Sequence, residues 1–178
     1  MTVTPLPPVR LTIQTELGAI EAEIDVEHAP ITATNFLRYV DGGFYSGGRF
    51  HRTVTMDNQP DNLVRIEVIQ AGINPQRDAE KLQPIPMERT DLTGLRHVDG
   101  AISMARFAPN SAQSDFFICI GDQPSLDFGG NRNPDGQGFA AFGRVTAGMD
   151  VVRRIQQSTR EAQRLTPPVR ILSVQRTG

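Results

Sequence analysis

The chain has 178 residues, of which 38% are hydrophobic and 21% charged, with 18 basic and 20 acidic side chains. This length and composition favour one globular domain with one substantial core. No basic run is longer than Arg153-Arg154, so there is no electrostatic basis for nucleic-acid binding, and no segment has the ~18 consecutive apolar residues of a membrane span.

The N-terminal segment, residues 1–8, contains Pro5, Pro7 and Pro8, which predicts an extended arm outside the folded domain. It also lacks the charged start and apolar stretch of a signal peptide. We therefore expect residues 9–178 to form a single domain in the cytoplasm, or in the periplasm if a signal peptide has been removed.

Two different periodicities follow the arm. In residues 9–24 apolar and polar residues alternate on both sides of Gly18, which predicts an antiparallel hairpin with one solvent-exposed face. In residues 29–43 the apolar residues recur at helical spacing, Pro30 suits the first turn, and Gly42 supplies a stop. This second segment is predicted to be a short amphipathic helix.

The remaining predicted elements are short strands and one further helix, over residues 147–158. The strand candidates are RFHRT (49–53), VRIEVIQ (64–70), GAISMA (100–105), DFFICI (115–120), FAAFGRV (139–145) and VRILSVQR (169–176). Three stretches rich in Gly, Pro and Asn, residues 56–62, 73–86 and 128–138, are interpreted as surface loops that are long enough to shape a binding groove.

Eight short strands and two helices that do not alternate along the chain indicate an antiparallel sheet. Such a sheet removes its exposed edges by closing on itself, and the two helices can then cover the open ends. The predicted fold class is therefore mainly β: a closed eight-stranded antiparallel barrel capped by two α-helices.

Most familiar catalytic motifs are absent from the chain. His28, His51 and His97 have no His or Cys at metal-ligand spacing, and there is no phosphate-binding glycine loop or nucleophile elbow. A hydrolase built from scattered Ser, His and Asp side chains stays open. The single cysteine, Cys119, lies in an apolar strand candidate, which predicts a buried core residue.

An ordered series of motifs runs from about Leu11 to Val174. The motifs are TELGAIEAEI (15–24), APITATNFLRYVDGGFYSGGRFHR (29–52), VIQAG (68–72), HVDGAISMAR (97–106), SAQSDFFI (111–118), LD (126–127) and AFGRVTAGMDVVRRI (141–155). This series resembles the cyclophilins, the cyclosporin-binding family of peptidyl-prolyl cis/trans isomerases. The resemblance implies an eight-stranded barrel capped by two helices, which is the fold class reached independently from the strand count.

The resemblance also implies a set of site residues. Arg52 takes the position of the catalytic arginine, and Phe50 and Val68 are further candidates for the pocket that holds the proline ring. The implied substrate-binding residues are Gln70, Ala105, Arg106, Phe107, Asp115, Phe117, Leu126 and Phe139. The implied substrates are proline-containing peptides and unfolded or folding client proteins. No cofactor or metal is implied, and we expect a monomer.

The reaction explains why an arginine is needed. Rotation about an X-Pro amide faces a barrier of ~18–20 kcal/mol, because resonance gives the C–N bond partial double-bond character. A hydrogen bond donated to the prolyl nitrogen favours the twisted state, in which the nitrogen lone pair is no longer delocalised. Arginine stays protonated and offers several donors in a planar fork, so no covalent chemistry is required.

The segment between Arg52 and Gln70 departs from the family pattern. It is longer than usual, with an inserted loop over residues 53–63, and Glu67 and Val68 stand where the family carries apolar Phe and Met. A buried unpaired carboxylate beside the proline pocket would be unfavourable, so either Glu67 pairs with a cation or the loop supplies a substitute such as Met56, Leu63 or Ile66. Alternation places Glu67 on the face opposite Val68 and Ile66, which leaves both outcomes open.

The groove residues depart from the pattern as well. Arg106 and Phe107 replace Asn and Ala, and Asp115 replaces Gln; an ionised Asp cannot donate a hydrogen bond to a peptide. Arg52 and Arg106 are candidate ion-pair partners of Asp115. The chain contains no Trp and has Ser125 before Leu126, so we expect weak cyclosporin binding.

Strand alternation predicts that His51 points away from Arg52 and is structural. Two functions stay open. The first is a peptidyl-prolyl isomerase that assists protein folding by accelerating a slow step. The alternative is a proline-peptide binding or chaperone-like module with weak or no isomerase activity. Arg52, Gln70 and Phe117 favour the first, whereas Glu67 and Asp115 favour the second.

Overall fold

The predicted N-terminal hairpin forms the first two strands of the computed structural model, which describes residues 4–177. Strand β1 (Val9–Thr15) pairs antiparallel with β2 (Gly18–Ile24), and in both strands buried positions alternate with more exposed ones. Residues 4–8 precede β1 without forming a helix or strand. Residues 1–3 of the predicted arm lie outside the described residues.

The later elements largely coincide with the predicted segments. They are α1 (Pro30–Asp41), β3 (Arg49–Val54), β4 (Val68–Gly72), α2 (Thr90–Thr93), β5 (Ala101–Met104), β6 (Phe116–Cys119), β7 (Ala141–Ala147), α3 (Met149–Gln156), β8 (Arg160–Glu161) and β9 (Arg164–Arg176). The sequence pattern does not predict α2 or the 3₁₀ segments Pro75–Glu80 and Pro124–Leu126, because one or two turns are too short to show helical periodicity.

The predicted strand over residues 64–70 is wrong in its first half. In the structure β4 begins only at Val68, and residues 64–67 belong to the loop that follows β3. The backbone N–H and carbonyl of Ile66 are bonded to the side chain of Gln59 rather than to a neighbouring strand. Val64 and Ile66 therefore extend the alternating apolar pattern of β4 in the sequence, although they are not part of the strand.

Eight of the strands close into an antiparallel barrel, which confirms the predicted fold class. Their order is β1-β2-β7-β5-β6-β4-β3-β9, and β9 pairs back with β1 to complete the ring. The two-residue strand β8 pairs only with the start of β9 and lies outside the ring. None of the helices formed by residues 4–177 is long and apolar enough to cross a membrane.

The interior of the barrel holds the larger of two hydrophobic clusters, which we call the barrel core. Phe36 from α1, Phe50 from β3, Phe116 from β6 and Phe142 from β7 are all fully buried there. The ring of Phe116 packs edge-on against Phe36 at a centroid distance of 5.3 Å and against Phe50 at 6.1 Å. Ile155 adds the apolar face of α3 to the same core.

A second and smaller cluster lies on the outer side of the barrel wall, and we call it the pocket cluster. Its buried members are Val54, Ile66, Val68, Ala101, Phe117, Cys119 and Leu126. Adjacent residues of β6 supply both clusters, because successive side chains of a strand point to opposite faces. Cys119 is fully buried as predicted, and burial raises the pKa of its thiol.

Candidate active site

A groove of about 640 Å³ opens over the pocket cluster. With the exception of Phe50, every residue that the resemblance assigns to the site lines this groove: Arg52, Val68, Gln70, Ala105, Arg106, Phe107, Asp115, Phe117, Leu126 and Phe139. Phe50 is fully buried in the barrel core, so its assignment to the proline pocket is wrong.

A β-bulge in β3 determines which side chains face the groove. Phe50 pairs with Ala71 and Arg52 pairs with Gln70, so His51 is an extra residue on the β3 side. The bulge breaks the strict alternation of the strand. As a result, His51 reaches Asp115 on the groove side at 3.0 Å, and the prediction that His51 points away from Arg52 is wrong.

The guanidinium of Arg52 is fixed by two hydrogen bonds. Its Nε donates to Gln163 Oε1 at 2.9 Å, and its Nη1 donates to Gln70 Oε1 at 3.0 Å. An arginine has five N–H donors, so the rest are available to a bound ligand. Burial lowers the pKa of Arg52 from its usual value, but arginine in a protein stays charged at neutral pH. Gln163 is a site residue that sequence reasoning misses, because it belongs to the distant turn between β8 and β9.

Gln70 connects Arg52 to a carboxylate. Its Nε2 donates to Asp115 Oδ2 at 3.0 Å, and the same oxygen lies 3.0 Å from His51 Nε2. Asp115 is therefore paired with His51, not with Arg52 or Arg106 as the sequence suggested. Its Oδ1 lies 2.6 Å from the place that a Cβ of Gly72 would occupy, so a side chain at position 72 would displace the Asp115 carboxylate.

The apolar pocket beside Arg52 is completed by the loop between β3 and β4, residues 55–67. Ile66 is 5% exposed and lines the groove, whereas Met56 is 52% exposed and Leu63 is 100% exposed. Of the three candidates, Ile66 therefore supplies the missing apolar side chain. Glu67 points to the other side, where its Oε2 accepts a hydrogen bond from Gln156 Nε2 at 2.9 Å, so it places no carboxylate in the pocket.

Aromatic rings form the opposite wall of the pocket. Phe117 and Phe139 pack edge-to-face at a centroid distance of 5.6 Å and an interplanar angle of 88°. Behind them, the ring of His97 lies nearly parallel to Phe117 at 6.0 Å. The pocket thus has flat apolar walls that suit a small saturated ring.

The His97 ring that stacks on Phe117 contacts a serine and an aspartate, as the histidine of a hydrolase triad does. His97 Nε2 lies 2.8 Å from Ser103 Oγ, and His97 Nδ1 lies 2.7 Å from Asp127 Oδ1. However, Ser103 is 0% exposed, so its hydroxyl cannot reach a substrate, and the hydrolase alternative is not supported. Burial raises the pKa of Asp127, but the hydrogen bonds from His97 outweigh this effect and the net shift is downward.

Arg106 and Phe107 have different roles at the edge of the groove. The five N–H donors of Arg106 are all used within the protein, on the carboxylate of Asp135 and the carbonyls of Gly138 and Phe107. Its guanidinium carbon lies 4.8 Å from the centroid of the Phe139 ring. The Arg106 side chain therefore braces the pocket wall and has no donor left for substrate. Phe107 is 93% exposed at the rim.

No group of three or more His, Cys, Asp or Glu side chains within residues 4–177 is arranged to hold a metal ion. The groove instead combines a cationic donor with an apolar pocket. This arrangement can bind an apolar ring and polarise an adjacent amide.

Comparison with known proteins agrees with this chemistry. The family model described as "Cyclophilin type peptidyl-prolyl cis-trans isomerase/CLD" matches residues 10–176. The chain belongs to the cyclophilin-type peptidyl-prolyl cis-trans isomerase family. The predicted family and enzyme class are thereby confirmed.

Individual cyclophilin-type relatives match over most of their length. The peptidyl-prolyl cis-trans isomerase of Acinetobacter baylyi is 37% identical, with 92% of this chain and 82% of the relative covered. Peptidyl-prolyl cis-trans isomerase B of Escherichia coli is 33% identical, with 82% and 83% covered. A cyclophilin-type isomerase of Cryptosporidium parvum shares the fold with a TM-score of 0.76 at 19% identity, covering 96% of this chain and 98% of its own. A second structure of that protein was determined in the presence of the dipeptide Ala-Pro.

Proposed function

We propose that this cyclophilin binds proline-containing peptides in the groove and that Arg52 catalyses rotation about the X-Pro bond. The observation that carries the proposal is the position of the Arg52 guanidinium. It is held on one side by Gln70 and Gln163, it keeps unused N–H donors, and it borders the same groove as the apolar pocket. A proline ring in that pocket would place its amide nitrogen within reach of a fixed cation.

Catalysis then follows from where the hydrogen bond can form. In the planar amide the nitrogen lone pair is delocalised and accepts poorly, whereas in the twisted amide it is localised. A donor from Arg52 therefore stabilises the twisted state more than the ground state, which is the condition for a faster reaction. Because Arg52 is half-buried and already oriented, little reorganisation is needed during the reaction.

The other groove residues divide into a binding set and a positioning residue. The proline ring would lie against Phe117, with Ile66, Val68, Leu126 and Phe139 around it, and the peptide backbone would pass Ala105 and the backbone of Arg106 at the rim beside Phe107. Gln70 is engaged by Arg52 on one side and Asp115 on the other, so it acts by orienting Arg52.

The substrates we propose are X-Pro segments of unfolded or folding proteins, in the cytoplasm or periplasm, with the protein acting as a monomer. The Ala-Pro dipeptide present with the Cryptosporidium parvum relative supports proline-peptide binding on this fold. Cyclosporin should bind weakly, since Ser125 offers no indole where cyclosporin-sensitive relatives have Trp.

The test compares Arg52→Ala and Arg52→Lys with the wild type in the cis-to-trans relaxation of short X-Pro peptides. Removing one preorganised donor from a charge-stabilising site lowers rates by about 10²–10³-fold. We expect kcat/KM to fall by that factor in Arg52→Ala and to recover only partly in Arg52→Lys, because lysine lacks the fork. The matched control is Arg164→Ala, an exposed arginine opposite Arg52 on β9, which should stay within about twofold of the wild type.

One observation favours the alternative of a binding module with weak or no isomerase activity: Asp115 presents an acceptor where the family places a donor. The same assay decides between the two functions. If the wild type relaxes peptides no faster than Arg52→Ala but still binds them in a titration, the binding module is the better account.

A further inference from the structure

The loop between β3 and β4, residues 55–67, contains a buried glutamine that no sequence motif identifies. Gln59 is 3% exposed. Its Nε2 donates to the backbone oxygens of Thr55 at 2.6 Å and Ile66 at 2.8 Å, and its Oε1 accepts from the backbone N–H of Ile66 at 3.1 Å. The Gln59 amide therefore pairs with both backbone groups of Ile66, as a neighbouring strand would.

A fourth hydrogen bond to Gln59 comes from a different loop. Arg132 lies in the loop between the 3₁₀ segment Pro124–Leu126 and β7. Its Nη1 donates to Gln59 Oε1 at 2.6 Å and to the backbone oxygen of Val64 at 2.8 Å. With this bond both donors and both lone pairs of the Gln59 amide are used, and its orientation follows from its partners. Arg132 thus joins the two loops directly beside Ile66.

Burial and the nearby charge of Arg52 both disfavour the charged form of Arg132 at this position. Burial lowers the pKa of its guanidinium, and the positive charge of Arg52 lowers it further. In the range 4–177, Arg132 has no carboxylate partner; its bonds go to Gln59 and Val64. An arginine with no role here would extend into water, where its charge is better solvated. The two bonds are therefore what keeps this side chain in the groove.

We propose that Arg132 and Gln59 are positioning residues of the isomerase, which hold Ile66 in place as a wall of the proline pocket. Glu67 is bonded to Gln156, so Ile66 supplies this part of the wall from the loop between β3 and β4, where its backbone is bonded by the Gln59 side chain rather than by a neighbouring strand. Gln59 fixes the backbone of Ile66, and Arg132 fixes Gln59. This inference depends on the proposed function, because it assumes that the proline ring binds against Ile66.

The kinetic test uses Arg132→Met, which keeps most of the side-chain length and removes the donors. Ile66 contacts the ring in the ground state and the transition state alike, so its displacement should raise KM and leave kcat nearly unchanged. We expect KM for an X-Pro peptide to rise about tenfold, the effect of losing roughly one charge-assisted hydrogen bond, with kcat within about twofold. Arg132→Lys should recover part of the loss, because one donor can still reach Gln59.

The matched control is Arg65→Met. Arg65 is an exposed arginine of the same loop, and its guanidinium also donates to loop carbonyls, those of Met56 and Asn62, but it contacts neither Gln59 nor the groove. Its KM should stay within about twofold of the wild type. Equal rises in KM for Arg65→Met and Arg132→Met would mean that general loosening of the loop, and not the support of Ile66, is responsible.

A spectroscopic measurement separates positioning from stability. The δ1-methyl NMR signal of Ile66, assigned with Ile66→Val, should shift when an Ala-Pro peptide is added to the wild type and to Arg65→Met, and should respond little in Arg132→Met. A wild-type KM and a wild-type Ile66 response in Arg132→Met, with Arg52→Ala inactive, would overturn the positioning role alone. Full activity of Arg52→Ala would instead overturn the proposed function.

Discussion

The barrel core and the pocket cluster share strands but differ in what encloses them. The barrel core lies inside a continuous ring of eight hydrogen-bonded strands. The pocket cluster lies outside that ring and is covered by side chains from the loops, with Ile66 on one side and Leu126 on the other. Phe116 and Phe117, adjacent in β6, belong one to each cluster.

This difference separates the residues that maintain the fold from those that bind the peptide. A change on the outer face of β4 or β6 leaves the backbone ladder of the ring intact, because the strand partners are unchanged. The pocket can therefore accept a longer loop and new charged neighbours while the barrel stays the same. Substitutions on the inner face should therefore lower mainly stability, and those on the outer face mainly peptide binding.

The largest contrast is expected between Phe116→Ala and Phe117→Ala. Phe116 has protein on all sides, so its truncation should lower the free energy of unfolding by about 3–5 kcal/mol. One side of Phe117 faces the groove, so its truncation should lower stability less but raise KM for X-Pro peptides at least about tenfold. Urea unfolding and the isomerase assay measure both quantities. Equal losses of stability, with an unchanged KM for Phe117→Ala, would mean that the pocket cluster is ordinary core.

A pH-dependent effect is expected from Asp127, which supports the pocket cluster through His97. Its folded-state pKa lies below the unfolded value of about 3.9, so the stabilisation is present above that value and is lost as the pH falls through the folded-state pKa. Asp127→Asn should lower Tm by about 5 °C between pH 5 and 8, and the difference from the wild type should shrink below about pH 4.

The control for this prediction is Asp61→Asn, a change at an exposed loop residue, which should leave Tm almost unchanged at each pH. A difference for Asp127→Asn that persisted undiminished at pH 3 would show that the carboxylate charge is not what stabilises the support of the pocket.

The smallest effect is expected at the rim of the groove, from Asp115→Gln. The amide oxygen can still accept from Gln70 and His51, while the new N–H donors become available to a peptide carbonyl. One neutral hydrogen bond corresponds to a decrease in KM of about two- to fivefold, with Tm nearly unchanged. A rise in KM would show that the charge of Asp115 helps binding through His51 and Gln70.

The strand-built half of the site could be predicted from the sequence. The resemblance to the cyclophilins, and not strand periodicity, predicts that Arg52, Gln70 and Phe117 share one site. In the structure they line one groove because they lie on strands that pair with one another. The exceptions are Phe50 and His51. Strict alternation predicts the wrong face for each of them, because the bulge between Phe50 and Arg52 shifts the alternation and the residues themselves carry no signal for a bulge.

The loop-built half could not be predicted in the same way. Alternation predicts that Glu67 and Ile66 face opposite sides, but it does not distinguish Ile66 from Met56 and Leu63 as the residue that completes the pocket. That choice depends on hydrogen bonds from Gln59 to Ile66, seven residues away, and from Arg132 to Val64 and Gln59, 68 and 73 residues away. Loop conformations of this kind follow from side-chain contacts between distant segments, and periodicity carries no information about them.

The burial of Cys119 has a practical consequence. The only sulfhydryl of the chain lies in the pocket cluster, where it is shielded from reagents and its thiolate is disfavoured. A disulfide reagent can therefore react with Cys119 only while the pocket cluster is transiently open. The rate at which Cys119 is labelled then measures how often this local opening occurs. Cys119 is therefore a native probe for local opening of the pocket cluster, at a site where an introduced probe would disturb the packing.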